Sequence, residues 1–582
     1  MIFNTLKKLF KHVSKKRRSE FRILLLLTLI SAFAEMITLS SVVPFIAIIV
    51  QPEQILDYAL VRKIIEILNL SSNLVITKVI SIFFITAAFV SGILRIFVLR
   101  VSLNLSQTTG ADLSSDMFRR TLNQPYLEHV NRNSSDVISG ITQKVSAATS
   151  VLTGLISFTT NLVLGLGILI ILLIVDPVVA SAAILAFGSA YVVITILSKK
   201  TLKQNSFTIA RNQTETIRTS QEGLGGIREV ILKRRQLYFS NWYKKNVSQL
   251  AQALASNQFL TLAPRYFMET VALILIGLFT FFASGNSELI TSTLPTLGAL
   301  ALGAQRLLPI LQQLYGNLSL VLGSQKSIID VVNLLEQFEE VSDTENLYRK
   351  MTFNEKITLE DVRFRYSPSE PYILNDVNIE IKKGECIGFI GETGSGKSTI
   401  IDLTLGLLTP TAGSVLIDGK AINSLTASTW QNLVSHVPQH IFLTDTSIEE
   451  NIAFGIARKD IDRERIKLVC GQASLDTFID TLPQKYETRV GERGTKLSGG
   501  QRQRIGIARA LYSNAKVLIL DEATNALDDV TERRILSSIN KLSPNLTILM
   551  ITHRTETLNI CDRIYSLSAE GVKEWQPQLN ID

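Results

Sequence analysis

The sequence predicts two fold classes in series: an all-α membrane region of six helices, then an α/β domain built around a phosphate-binding P-loop. Three observations carry this reading. Long apolar segments crowd the chain before about residue 323. The remainder reads as a soluble domain of alternating strands and helices. Within it, Gly391-Glu392-Thr393-Gly394-Ser395-Gly396-Lys397-Ser398-Thr399 fits GxxxxGK[ST], between the apolar run Cys386 to Ile390 and a helix-like run from Ile400 to Leu405.

A soluble chain of 582 residues would hold roughly four domains, but 46% hydrophobic content concentrated in one half points to a membrane protein. The net charge of +8 lies mainly beside the membrane segments. Anionic headgroups and the positive-inside bias explain it better than nucleic acid does. The three cysteines, Cys386, Cys470 and Cys561, show no CxxC or metal-ligand spacing and read as reduced packing residues of a cytosolic domain.

Residues 1–20 interleave Phe3, Leu6, Leu9, Phe10 and Val13 with Lys7, Lys8, Lys11, Lys15, Lys16, Arg17 and Arg18, the pattern of an amphipathic helix lying in the cytoplasmic membrane interface. A signal peptide is one rival, opposed by the length of the apolar run from Ile23; a solvated charged tail is another. Six segments then reach the roughly twenty apolar residues a bilayer requires, near 22–50, 75–100, 153–175, 178–198, 264–284 and 290–322. Lys199 to Lys245 holds eleven Lys or Arg, which places that loop and both termini in the cytoplasm. The stretches 101–152 and 199–262 are polar and nearly free of breakers, so the helices continue outward; Pro125-Tyr126 and Gly223 to Gly226 interrupt them and predict short transverse helices. An outer interfacial helix is expected near 55–70. The domains are therefore 1–20, 21–323, a connecting helix over 324–350, and 351–582.

Beyond the P-loop, Gln439 follows the run Leu433 to Pro438. Leu497-Ser498-Gly499-Gly500-Gln501 opens a helix, whose free amides make a second anion site. The buried-strand run Val517 to Leu520 delivers Asp521 to Mg²⁺ and Glu522 to a water. A second such run, Ile548 to Thr552, brings His553 to the same sheet edge. A lone histidine would be read as core packing; after this set, a γ-phosphate contact is the better reading.

The order P-loop, Gln439, LSGGQ, Leu520-Asp521-Glu522, Asn525-Ala526-Leu527-Asp528, His553 resembles an ATP-binding cassette (ABC) ATPase. With six preceding spans, nearly the whole chain resembles a type IV ABC exporter half-transporter. The resemblance implies ATP and Mg²⁺ as ligands, with Tyr366 on adenine, Asp528 among the nucleotide contacts, Ser398, Gln439 and Asp521 on Mg²⁺, Glu522 as general base and His553 as switch. It also implies that Thr488 to Gly494 contacts the cytoplasmic helices. One P-loop and one LSGGQ per chain imply a second copy, each P-loop facing the partner's signature. Intact Glu522, Ser498, Gly500 and His553 favour a homodimer. Asn525 stands where the family usually has Ser, a swap expected to matter little.

For the cargo, Arg95, Arg265 and Arg306 lie within or beside spans, as do Glu35 and Glu269. They read either as helix-to-helix bridges or as a basic cavity for a phosphate or pyrophosphate. Phe33 to Met36, Val43-Pro44-Phe45, Ala263 to Tyr266 with Glu269, and Arg306 to Pro309 resemble the lipid-linked oligosaccharide flippases of bacterial protein N-glycosylation, the PglK-like group. That resemblance implies a lipid-linked glycan substrate facing the three arginines in a bacterial-type cytoplasmic membrane. An exporter of peptides, drugs or other lipids is the alternative, and no nucleic-acid partner is expected.

Overall fold

A computed structural model describes residues 2–50, 73–175, 177, 181, 184–283, 307–336, 351–423, 425–542, 545–568 and 571–575. The outer helix expected near 55–70, most of the sixth expected span with Arg306, and the linker beyond residue 336 lie outside these. The chain divides into two compact units, residues 1–124 with 132–340, and residues 125–131 with 341–582.

The first unit is helical. Its elements are α1 (Ile2–His12), α2 (Lys15–Val50) and α3 (Asn73–Leu122), then, beyond the short α4 (Tyr126–Asn131) that belongs to the second unit, α5 (Val145–Val175), α6 (Ser189–Gly225), α7 (Ile227–Leu232), α8 (Gln236–Ala283), α9 (Leu307–Gly323) and α10 (Gln325–Glu336). Among the described residues four helices are long and apolar enough to cross a membrane, or five if α9 and α10, bent by 54°, form one span. The helices α3, α6 and α8 run to 50, 37 and 48 residues, far past any bilayer thickness, and α3 carries Gly110 in its polar half without stopping. Pro264 is the one proline within them. It sits inside α8, and a proline there cannot bond to the carbonyl four residues back. Tyr315 donates its hydroxyl to that carbonyl, Leu260 O, at 2.8 Å, and Gln312 donates to Thr261 O at 2.7 Å. The two donors let the helix continue through the proline.

The apolar face of the first helix packs in part against protein. Leu9 is fully buried and Ile2 and Leu6 half-buried against Ile328, Val331, Val332 and Leu335 of α10, and Lys8 pairs with Glu336 at 3.0 Å. The reason lies in α10, which carries an apolar stripe at i, i+3, i+4, i+7 that needs cover. Only Phe3 of the apolar set remains fully exposed.

In the second unit a six-stranded sheet has the order β10-β9-β3-β8-β7-β6, and a four-stranded antiparallel sheet the order β2-β1-β4-β5. The strands are β1 (Lys356–Phe364), β2 (Leu374–Lys382), β3 (Cys386–Gly391), β4 (Ala412–Ile417), β5 (Lys420–Ala421), β6 (Val434–Val437), β7 (Val517–Asp521), β8 (Thr547–Ile551), β9 (Arg563–Ser568) and β10 (Gly571–Trp575). From β9 to β6 all pairing is parallel. Both faces of such strands are covered, which is why β7 and β8 read as unbroken apolar runs. Parallel strands also end together, so Gly391, Asp521 and Ile551 arrive at one carboxyl edge, where open α/β sheets bind ligands. The segment Pro125–Asn131 belongs to this unit, with Leu127 packed on the core around Trp430.

Candidate nucleotide site

The P-loop is built by β3 and by α11 (Lys397–Thr404). Gly391, Gly394 and Gly396 have φ of 150°, 86° and 94°, values that L side chains rarely adopt. At Gly396 space also forbids a side chain, since a Cβ would stand 2.7 Å from Leu374 Cδ2. These turns aim the loop across the N-terminus of α11, whose unpaired amides and dipole favour an anion. Lys397 is 8% exposed and donates to Gly391 O at 2.7 Å and Glu392 O at 2.8 Å. Burial lowers its pKa, against the nearby carboxylates of Glu522 and Asp521. Ser395 Oγ is buried without a hydrogen-bond partner, an orphan that a phosphate oxygen would satisfy. Ser398 and Thr393 are exposed beside it and Thr399 is buried.

Next to this loop stands Glu522, just past β7. Its φ of 49° lies in the left-handed region, a strain of about 1–3 kcal/mol for a residue with a side chain. The bond from Glu522 N to Ile551 O, 3.0 Å, pins it there. The carboxylate is gripped on both oxygens. Gln439 Nε2 and Asn525 Nδ2 donate to Oε2 at 2.7 and 2.8 Å, and His553 Nε2 lies 3.2 Å from Oε1. The Glu522 side chain is 16% exposed and His553 51%. Asp521 is held above the usual carboxylate range by burial and then by the Glu522 charge, with Lys397 opposing.

Ser498 caps α12 (Gly499–Tyr512) in a reciprocal box with Gln501: Gln501 N donates to Ser498 Oγ at 3.2 Å, and Ser498 N to Gln501 Oε1 at 2.8 Å. Gly499 and Gly500 lie against the loop that follows Glu522, and a Cβ on Gly500 would stand 2.9 Å from Ala526 O. Ala526 N donates to Gln503 Oε1 at 2.9 Å. Asp528 caps α13 (Asp529–Asn540) through Thr531 N at 3.0 Å, and those bonds to Thr531 lower its pKa. Among the described residues no hydrogen bond joins Ser498 to Gln501 with Gly391 to Thr399. Tyr366, just past β1, packs edge-on against Phe364 at 5.1 Å.

Asn525 and Gln503 were not singled out by sequence reasoning as site residues. Asn525 was visible only as a departure from Ser, and its grip on Glu522 depends on the tight turn after β7. Gln503 carries one signal, a polar residue on the buried face of a helix that also buries Ile507 and Ala510.

In the first unit, Arg95 Nη1 pairs with Glu35 Oε1 at 3.3 Å, joining α3 to α2, and Arg265 Nε pairs with Glu269 Oε1 at 2.8 Å within α8. Both described arginines thus have carboxylate partners.

The chain matches the ABC transporter transmembrane region over residues 20–288 and the ABC transporter cassette over residues 374–525. The chain belongs to the ABC transporter family. Its transmembrane region precedes the ATP-binding cassette on one chain. It is 39% identical over 262 residues to the leukotoxin translocation ATP-binding protein LktB of Mannheimia glucosida, covering 42% of this chain and 37% of that protein. It is 38% identical over 235 residues to the ATP-dependent lipid A-core flippase of Chromohalobacter salexigens, covering 40% of each. The chain therefore spans about two fifths of the length of these curated relatives. In fold it is similar to a bacterial Atm1-family ABC exporter with ATP bound, with a TM-score of 0.75 at 24% identity, covering 95% of this ABC transporter and 93% of that chain.

Proposed function

We propose that two copies of this chain form an ATP-driven exporter that moves a lipid-linked oligosaccharide, a polysaccharide precursor or a related glycolipid across a bacterial-type cytoplasmic membrane. In this reading each copy contributes six spans within 21–323, a connecting helix over 324–350 and a cytoplasmic cassette over 351–582. The observation that carries the ATPase half is the Glu522 carboxylate, gripped by Gln439, Asn525 and His553 beside a P-loop with an orphaned hydroxyl.

Lys397 exchanges the carbonyls of Gly391 and Glu392 for phosphate oxygens, and the loop amides with Ser395 complete the cradle. Tyr366 stacks on the adenine. Bound Mg²⁺ would neutralise phosphate charge, and Ser398, Gln439 and Asp521 offer the hydroxyl, amide and carboxylate oxygens that suit a hard cation. Gln439 and Asn525 fix Glu522 Oε2, so Oε1 takes the proton from the attacking water. His553 then donates to the γ-phosphate. Ser498, Gly499, Gly500 and Gln501 serve the partner's P-loop; their lack of hydrogen bonds to the P-loop of their own chain supports this.

Glu522→Gln tests the assignment. It keeps shape and nucleotide contacts while removing the base, so turnover should fall at least about 10²-fold while ATP stays bound in a stable dimer. Undiminished hydrolysis would sink it. For the cargo, similarity to a lipid A-core flippase supports an amphipathic glycolipid, and similarity to a leukotoxin translocator favours the second reading, a peptide exporter. Arg95, Arg265 and Arg306 are the proposed pyrophosphate contacts, and the first two would have to release Glu35 and Glu269. Proteoliposomes decide between the readings: Arg95→Ala, Arg265→Ala and Arg306→Ala should each slow flipping of a polyprenyl-pyrophosphate glycan, and intact flipping in all three would leave the arginines as helix bridges.

A further inference from the structure

Two of the three cysteines meet. Cys386 opens β3 and Cys561 lies just before β9; these strands pair in parallel with Ile387 opposite Arg563. The Cys386 thiol donates to Cys561 Sγ at 3.5 Å, and both cysteines are free. The backbone is fixed around them, because Cys386 N donates to the Asp562 carboxylate and Asp562 N to Cys386 O, both at 2.8 Å. Next along β3, Gly388 lets the following segment approach closely. A Cβ there would stand 2.6 Å from Leu558 Cδ2 and 3.3 Å from Cys561 Sγ. Cys386 is buried and Cys561 partly exposed.

We propose that Cys386 and Cys561 form an oxidation site, which a peroxide converts to an intramolecular disulfide tying the P-loop strand to the segment that carries His553. The partly exposed Cys561 reacts first. Its thiolate attacks a peroxide oxygen, the O–O bond breaks, hydroxide leaves and takes up the proton lost by the thiol, and Cys561 becomes a sulfenic acid. The Cys386 sulfur then attacks Cys561 Sγ, the S–O bond breaks, and the Cys386 proton leaves with the hydroxide as a second water. Two thiols and one hydrogen peroxide give one disulfide and two waters. Cys386 already directs its S–H at the sulfur that would carry the oxygen. Closing 3.5 Å to a bond of about 2.05 Å asks for roughly 1.5 Å of approach, within reach of side-chain rotation. The Cys561 contact, and then burial, hold the Cys386 thiol well above the usual range. Cys470, pushed up to about 12 by burial, is the internal control.

The link would join strand β3, which ends at Gly391, to a segment that begins at His553 and passes through α14 (Thr555–Leu558). Movement of His553 relative to the P-loop is thereby restrained, a consequence that rests on the ATPase reading above; disulfide formation itself does not.

The test treats the full chain in detergent with hydrogen peroxide, titrates thiols after denaturation, maps cross-linked peptides by mass spectrometry and measures ATPase before and after dithiothreitol. The expected result is loss of two of three thiols, a peptide joining Cys386 to Cys561, and a several-fold fall in ATPase that dithiothreitol reverses. Cys561→Ser and Cys386→Ser should each keep basal ATPase and lose the reversible inhibition. Three thiols still titrating after peroxide would overturn the site. A mapped disulfide with unchanged ATPase would overturn its regulatory consequence. If the reduced chain hydrolysed no ATP the function above would fail, and the thiol count would still decide the oxidation site.

Discussion

Replacing Asn525 by Ala removes one of the two amide donors on Glu522 Oε2 and touches nothing on the P-loop. A hydrogen bond to a charged group contributes about 1.5–3 kcal/mol. Gln439 donates to the same oxygen at 2.7 Å and retains part of that restraint, so the lower figure applies. About 1.5 kcal/mol spent on holding the base corresponds to roughly a tenfold fall in kcat. The KM for ATP should hold, because no phosphate contact is lost. Asn525→Ser should recover much of the rate, since a hydroxyl can donate from the same turn. A double-mutant cycle with Gln439→Ala sharpens the test: two donors on one oxygen should couple by about 0.5–3 kcal/mol, whereas independent sites add. Steady-state ATPase of the reconstituted chain is the assay. A wild-type kcat in Asn525→Ala, or strict additivity with Gln439→Ala, would refute the shared grip.

Two further outcomes follow from burial and crowding. Burial pushes His436 on β6 down to about 4, and its Nε2 has no partner. The folded chain therefore prefers the neutral ring, a contribution fully present above pH 6.5 and lost as pH falls from 6.5 towards 4; it amounts to about 3 kcal/mol. His436→Leu should flatten the thermal midpoint against pH across that window; an unchanged slope would assign the acid sensitivity elsewhere. At Gly500 a methyl would press on Ala526 O, a backbone atom with little room to yield. Overpacking of that kind costs about 1–3 kcal/mol, so Gly500→Ala should lower the midpoint by at least about 2 °C and slow turnover; an unaltered midpoint would show that the 525–528 loop is free to move.

The parts of the cassette legible in the sequence are those where one strand or one helix start dictates the chemistry. β3, β7 and β8 are unbroken apolar runs, so Gly391, Asp521 and His553 could be assigned to one sheet edge without coordinates. Contacts that depend on three-dimensional closeness were not legible. Nothing local says that Asn525 turns back on Glu522, that Gly500 leans on Ala526, or that Cys386 and Cys561, 175 residues apart, share a hydrogen bond. The membrane half shows a different limit. Periodicity correctly marks α1 as amphipathic, but the same apolar face suits lipid or protein, and the deciding surface is the stripe of α10 more than 300 residues later. Arg95 and Arg265 are similar: a cost-based argument identifies them as constrained, yet their partners Glu35 and Glu269 become definite only when the helices are placed.

The polar groups assigned to phosphate are mostly committed within the chain already. Lys397 bonds two carbonyls of its own loop and Ser498 caps its own helix. Phosphate binding at these groups exchanges hydrogen bonds, so its driving force comes chiefly from charge and from α11. Ser395 differs. Its buried hydroxyl has no partner, which costs about 1–3 kcal/mol, and replacing such a group by Ala is neutral or stabilising. Ser395→Ala should therefore raise the thermal midpoint without nucleotide by about 2–4 °C, for a gain of about 1 kcal/mol. It should also weaken ATP binding by about tenfold, since the hydroxyl finds its partner only in phosphate. A mutant that is destabilised, or that binds ATP as tightly as the parent, would show that Ser395 serves the fold of the loop and not its ligand. The opposite signs expected for stability and affinity make this position a direct measure of what the loop gives up to remain ready for phosphate.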